Sequence, residues 1–168
     1  MMSHLSQKFC FATLALGSNY IKLALELAKD LERYSPKSIL LVLTENPDYF
    51  SNQRNVLVFK HKQNLYCDND KSFLIEKALS MFDGCICIDA DMRILAPIPE
   101  DLEWQPGITA RSCTNLIKHH QTIVNRTAKP RPQKVKQLEV IKKAAQKLDI
   151  NLEDQNVYWM NEFLFVVK

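Results

Sequence analysis

"CICIDADMRIL", residues 85–95, decides how this chain is read. An apolar strand runs straight into Asp89 and Asp91, with only Ala90 between them. Side chains alternate along a strand, so residues i and i+2 share a face. If the backbone stays extended through Ala90, both carboxylates point the same way. Like charges held a few ångström apart repel, and a bound cation turns that repulsion into attraction. Hard oxygen ligands suit Mg²⁺, Mn²⁺ or Ca²⁺ rather than zinc or copper. Alone, the pattern is short and common, and it also describes a strand ending in a solvated acidic turn. Its surroundings decide between the two.

Upstream, "FCFATLAL" (9–16) reads as a buried strand, broken by Gly17 and Ser18. Ser18 or Asn19 is a candidate cap for a helix carrying Tyr20, Leu23, Leu27, Leu31 and Tyr34 at helical spacing, with Ala24 and Ala28 beside them. Pro36 stops it. "SILLVLT" (38–44) is apolar on both faces, as in a covered parallel sheet. "ENPDYF" reads as a turn and "NVLVF" (55–59) as a third strand. Ser72 is a candidate cap for a helix over about 73–82, with Leu74, Ala78 and Met81 inward and Gly84 ending it. "CICID" is then the fourth strand. The order strand, helix, strand, strand, helix, strand predicts an α/β fold with a mostly parallel sheet flanked by helices. In such sheets ligands bind beyond the carboxyl ends of the strands, which is where the acid pair stands.

Downstream, "GITA" (107–110) reads as a short strand, followed by a stretch from Arg111 to about Arg131 without apolar periodicity. Leu138, Ile141, Ala145 and Leu148 mark an amphipathic helix, and "EFLFVVK" (162–168) a terminal strand. No internal repeat appears, and the 168 residues suit one domain with a real core. From Lys118 to Lys147 there are nine Lys or Arg against one acid, Glu139. A solvated helix face explains the helical part. The loop 118–134 is a candidate lid, and its charge allows a peripheral contact with an anionic membrane surface. No aromatic residues interleave the basic ones, so no nucleic-acid platform is read.

Five cysteines, Cys10, Cys67, Cys85, Cys87 and Cys113, are odd in number and scattered. They point to reduced, buried thiols and a reducing, cytoplasmic compartment. Cys85 and Cys87 lie in an apolar strand and read as core. No apolar run approaches membrane-spanning length, and "MMSHLSQKF" lacks a signal peptide's apolar centre. Asn125-Arg126-Thr127 matches a glycosylation sequon, read as chance in that compartment.

Taken together, Thr13-Leu14 followed by Tyr20 on the first strand-helix turn, "MFDGCICIDADMRILAPIPEDL" and "WMNEFLFVV" resemble glycogenin-like glycosyltransferases of the GT-A fold. The resemblance covers most of 9–102 and about 159–167. It implies a nucleotide-sugar-binding domain over 1–168 that transfers a sugar from a nucleotide diphosphate, by resemblance a uridine one, with Mn²⁺ or Mg²⁺. It implies that Asp91 ligates the metal and that Asp89 contacts the metal or the ribose. Ala90 supplies backbone near the nucleotide, Thr13, Leu14, Ala15 and Leu16 cradle the base, and Tyr20 stacks on it. Tyr20 as plain helix core stays open. Asn161 matches a position on the sugar side of the cleft, and Glu162 is either an extra carboxylate at the reaction centre or an edge residue.

The departures are specific. The helix before the acid pair commonly carries a cation that reaches the donor; the aligned slot here is Phe73, with Lys71 and Lys77 as candidate substitutes. A third metal ligand, often histidine, is expected well downstream, whereas this sequence ends at Lys168 and His119 and His120 come too early. A chain incomplete at its C-terminus is therefore expected. Family analogy suggests retention of anomeric configuration. Neither the sugar, the acceptor nor the oligomeric state is read from the sequence. A haloacid-dehalogenase-type phosphatase would carry Asp-x-Asp on its first strand, and a nucleotidyltransferase a Gly-rich loop after that strand. Neither pattern is present. The alternative is a non-catalytic nucleotide-sugar-binding or interaction domain related to such transferases.

Overall fold

In a computed structural model, residues 9–63, 70–99, 106–115, 132–147, 149, 151 and 158–168 are described. The chain divides into two compact units, Met1–Ala110 with Glu162–Lys168, and Arg111–Asn161. Six strands form one sheet in the order β3-β2-β1-β4-β6-β5. They are β1 (Phe9–Ala15), β2 (Leu40–Thr44), β3 (Val56–Lys60), β4 (Gly84–Ile88), β5 (Ile108–Asn115) and β6 (Tyr158–Val167). The first four run parallel, and β6 pairs antiparallel with β4 through Leu164–Val167. The helices are α1 (Ser18–Tyr34), α2 (Lys71–Leu79) and α3 (Pro132–Lys147), with a short 3-10 helix over Pro47–Phe50 inside the expected turn. The mostly parallel α/β arrangement is the one expected.

α1 and α2 cover the two faces of the central parallel strands, which explains the unbroken apolar run in β2, buried at all five positions. Alternation sends Phe11, Ala15, Leu40, Val42 and Ile88 into a core with α1, and Cys10, Ala12, Leu41, Leu43, Cys85 and Cys87 into one with α2. α1 contributes Ile21, Ala24, Leu27, Ala28 and Leu31, each buried. Full burial of a Leu or Ile contributes about 1.5–3 kcal/mol. Ala24, Leu27, Ala28 and Leu31 are the expected inward residues, while Ile21 takes the place expected for Tyr20. Tyr20 and Tyr34 leave the core, and Tyr20 is 52% exposed.

Helix capping also differs from expectation. Neither Ser18 nor Asn19 caps α1; the cap position is Gly17, with φ 85°, and its amide donates to Glu45 Oε1 at 2.5 Å. Ser72 lies inside α2, whose cap position is Asp70, and Met81 is exposed beyond its end. Gly84 opens β4 rather than closing α2. A β-carbon there would overlap the Phe9 ring and lie 2.8 Å from the Val167 carbonyl oxygen, so close strand packing selects glycine. β5 runs on to Asn115, into a stretch read as aperiodic. As the last strand in the sheet order it needs no two-sided apolar signal. On α3, Ala145 is buried while Lys136, Lys142, Lys143 and Lys147 are exposed, the solvated basic face expected. No helix among the described residues is long and apolar enough to cross a membrane.

Candidate active site

At the carboxyl ends of β1 and β4 a pocket of about 310 Å³ opens, lined by Leu14, Leu16, Tyr20, Lys71, Asp89 and Asp91, among others. The strands deliver these residues by ending together. Leu14 and Leu16 come from the end of β1, and Tyr20 from the first turn of α1. Leu74 of α2 and Cys87 of β4 form apolar wall.

The extended backbone does not continue through the acid pair. β4 stops at Ile88, and the Met92 amide donates to the Asp89 carbonyl at 3.1 Å, closing a turn. The argument from strand alternation therefore fails, yet both acids line the pocket. Ala90, 3% exposed, belongs to the core with α1 and also lines the pocket between the two acids. Asp91 is exposed and Asp89 half-buried.

Lys71, at the start of α2, places Nζ 2.7 Å from Asp89 Oδ1, with 16% of its side chain exposed and 33% of the aspartate's. Such a half-buried pair is worth on the order of 1 kcal/mol to stability, so its interest is chemical. It is a cation beside the acid pair, inside the pocket. Lys77 is not among the lining residues; its ammonium lies 4.3 Å from the centre of the Phe59 ring. Phe73 packs against the α2-side core and stacks obliquely on His61, whose Nε2 is 3.1 Å from Asp70 Oδ2.

Not every expected contributor reaches the pocket. Thr13 and Ala15 are fully buried in β1, in register with Val42 and Thr44, and of residues 13–16, expected to hold the base through their main chain, Leu14 and Leu16 line the pocket. Thr13 Oγ1 is buried without a hydrogen-bond partner. Asn161 and Glu162 fall on β6, and the roles expected of their side chains lie outside the described part of the structure. His119, His120, the candidate lid and the sequon lie outside it too.

The thiols of Cys10, Cys85 and Cys87 behave as core. Cys85 and Cys87 Sγ are 3.7 Å apart, and the hydrogen bond shared with Cys85, with burial, pushes the Cys87 thiol up. Burial, aided by Cys85, raises Cys10 to about 12. Neutral thiols are poor metal ligands. Among the described residues no three His, Cys, Asp or Glu side chains converge as a ready-made metal cage.

Sequence reading missed Asp30 and Arg93. Asp30 sits on the buried face of α1 and accepts from Arg93 Nε at 2.5 Å and Nη2 at 2.8 Å. These bonds hold its carboxyl below the usual range against the opposing effect of burial, and the Ile94 amide adds to them. The available signal was an acid set among Leu27, Ala28 and Leu31.

No protein-family model matches the chain, and no curated protein sequence matches it. Its likeness is to solved structures. Against the apo structure of the bifunctional glycosyltransferase WbbM, 97% of this chain superposes with a TM-score of 0.58 and 13% identity, spanning 32% of that protein. Against the galactosyltransferase LgtC in complex with donor and acceptor sugar analogues, 94% superposes with a TM-score of 0.53 and 13% identity, spanning 56%. The chain thus covers about a third of one neighbour and just over half of the other. It has the mixed α/β sheet of GT-A glycosyltransferases, with the acid turn at the carboxyl ends of its parallel strands.

Proposed function

We propose that this chain is a metal-dependent glycosyltransferase domain that takes a nucleotide diphosphate-sugar, a uridine one by family resemblance, and transfers its sugar. The observation that carries the reading is the joint placement of Asp89, Asp91 and Lys71 in one pocket with Tyr20 and the end of β1.

The donor set fits Mn²⁺ or Mg²⁺. Such hard cations are held by one or two carboxylates, with substrate phosphates and water filling the remaining positions. Two aspartates at the pocket, with no third such ligand converging among the described residues, match that pattern. Asp91 and Asp89 would hold the ion, which when bound supplies Lewis-acid stabilisation of charge growing on the departing diphosphate. Lys71 carries a positive charge into the same space, placed to meet a phosphate oxygen. Leu14, Leu16 and Leu74 offer apolar wall against a base, and the exposed ring of Tyr20 a face on which to stack it. Asn161 and Glu162 on β6 are the proposed sugar-side residues.

Calorimetric titration with uridine diphosphate, with and without Mn²⁺, tests this on wild type and Asp91→Asn. Binding is expected to depend on metal and to weaken at least about tenfold in the variant, roughly 1.4 kcal/mol. Equal binding by both proteins sinks the proposal. Binding without release of uridine diphosphate from any sugar donor would instead favour the non-catalytic module.

A further inference from the structure

Just after the acid turn stands a charge pair, the buried Asp30 carboxylate and the half-exposed Arg93, that sugar transfer as drawn above does not use. Asp30 is 8% exposed, on the apolar face of α1. A carboxylate there is costly unless donors satisfy it. Three converge on it. Arg93 supplies Nε at 2.5 Å and Nη2 at 2.8 Å, and Ile94 its backbone amide at 3.2 Å. All come from two neighbouring residues just after the acid turn. A two-pronged arginine contact fixes orientation as well as distance.

The chain on the other side of Asp91 is anchored too. Ala90 is buried in the core with α1, and Met92 and Ile94 pack against that same core. Asp91 itself is exposed. Its backbone is therefore bracketed, by a buried methyl before it and by the Asp30 carboxylate after it. An acid that must meet a cation gains from being held in place beforehand, since ordering a loose turn on binding weakens the complex.

We propose that Asp30 is a positioning residue. Through Arg93 and Ile94 it fixes the Asp89–Met92 turn in the form that presents Asp91 to the pocket, and so sets the affinity for a nucleoside diphosphate taken up with a divalent cation. The inference rests on the reading given under Proposed function.

The test uses the full chain as wild type, Asp30→Asn, Arg93→Met and the double variant. Uridine diphosphate is titrated with and without Mn²⁺, and amide hydrogen exchange is followed at Met92 and Ile94. The affinity gained from Mn²⁺ should fall about tenfold in each single variant and no further in the double, because the two residues act as one unit. Metal-free affinity should stay within about twofold of wild type. Met92 should exchange faster while Cys85 to Ile88 stay protected. Variants that melt earlier yet keep both the Mn²⁺ gain and Met92 protection would overturn the proposal, leaving the pair a stabilising contact only. Should the Met variant not fold, Arg93→Lys keeps the charge and loses the fork; an intact Mn²⁺ gain there overturns it equally. Wild type that gains nothing from Mn²⁺ sinks the transferase reading and the affinity half of this inference. The exchange measurements then decide the other half, with unchanged Met92 protection in the variants overturning it.

Discussion

Lys71 Nζ and Asp89 Oδ1 lie 2.7 Å apart, joining the first turn of α2 to the acid turn after β4. The ammonium occupies one oxygen of a carboxylate that a divalent cation would also seek. On the reading proposed above it would compete with a divalent cation for Asp89 and, once displaced, would meet a phosphate oxygen.

Lys71→Met should shift two affinities in opposite directions. Mn²⁺ alone should bind several-fold tighter, because no ammonium competes for Asp89. Uridine diphosphate with Mn²⁺ should bind about tenfold weaker, because a charge facing the phosphates is gone, about 1.4 kcal/mol. Both are read by calorimetry. Parallel changes of the same sign would show that the lysine acts only through net charge.

Tyr20→Ala should weaken uridine diphosphate by about 1–3 kcal/mol, the usual worth of a base stacked on an aromatic ring. The ring is 52% exposed, so thermal stability should hardly move. A fall in melting temperature with unchanged nucleotide affinity would return Tyr20 to a packing role.

Gly84→Ala should destabilise the protein by roughly 1–3 kcal/mol, the range for overpacking a filled site. The added methyl meets the Phe9 ring and the Val167 carbonyl, and backbone cannot step aside as a flexible side chain can. Urea denaturation followed by circular dichroism gives the figure, and an unchanged midpoint would refute this account of the glycine.

Asp30→Asn should be costly at neutral pH and less so in acid. Arg93 holds the folded carboxyl below its ordinary value, which is roughly 3.9 in an unfolded chain. The stability it lends is complete above that unfolded value and is lost as pH falls through the lower folded one. The gap in urea midpoint between wild type and variant should hold steady above about pH 5 and close below about pH 4. A gap independent of pH would mean that shape, not charge, matters at this position.

The fold was legible because alternation, helical spacing and turn residues agreed from Phe9 to Ile88, and each strand of that stretch falls within a residue or two of its reading. Errors arose where one residue type serves two ends. Gly84 suits a helix terminus as well as a crowded strand, and Tyr20 suits an apolar stripe as well as a cleft wall. The acid pair was legible as a pair, but not its turn, because a strand's pattern does not say where extension stops. The Asp30 contact crosses from one element to another distant in sequence, and local pattern carries no trace of such a partner. Lys71 emerged from two candidates only once α2 had a position.

β6, slotted antiparallel between β4 and β5, bears on how the molecule assembles. The strand carrying the acid turn keeps a bare flank until residues 164–167 arrive, long after its other neighbour β1 has been synthesised. A nascent chain on the ribosome would thus expose a sticky apolar edge at Gly84–Ile88 until residues 164–167 emerge. Such an edge invites the wrong strand, and a chaperone that shields it, or slow refolding from dilute denaturant, is the expected remedy.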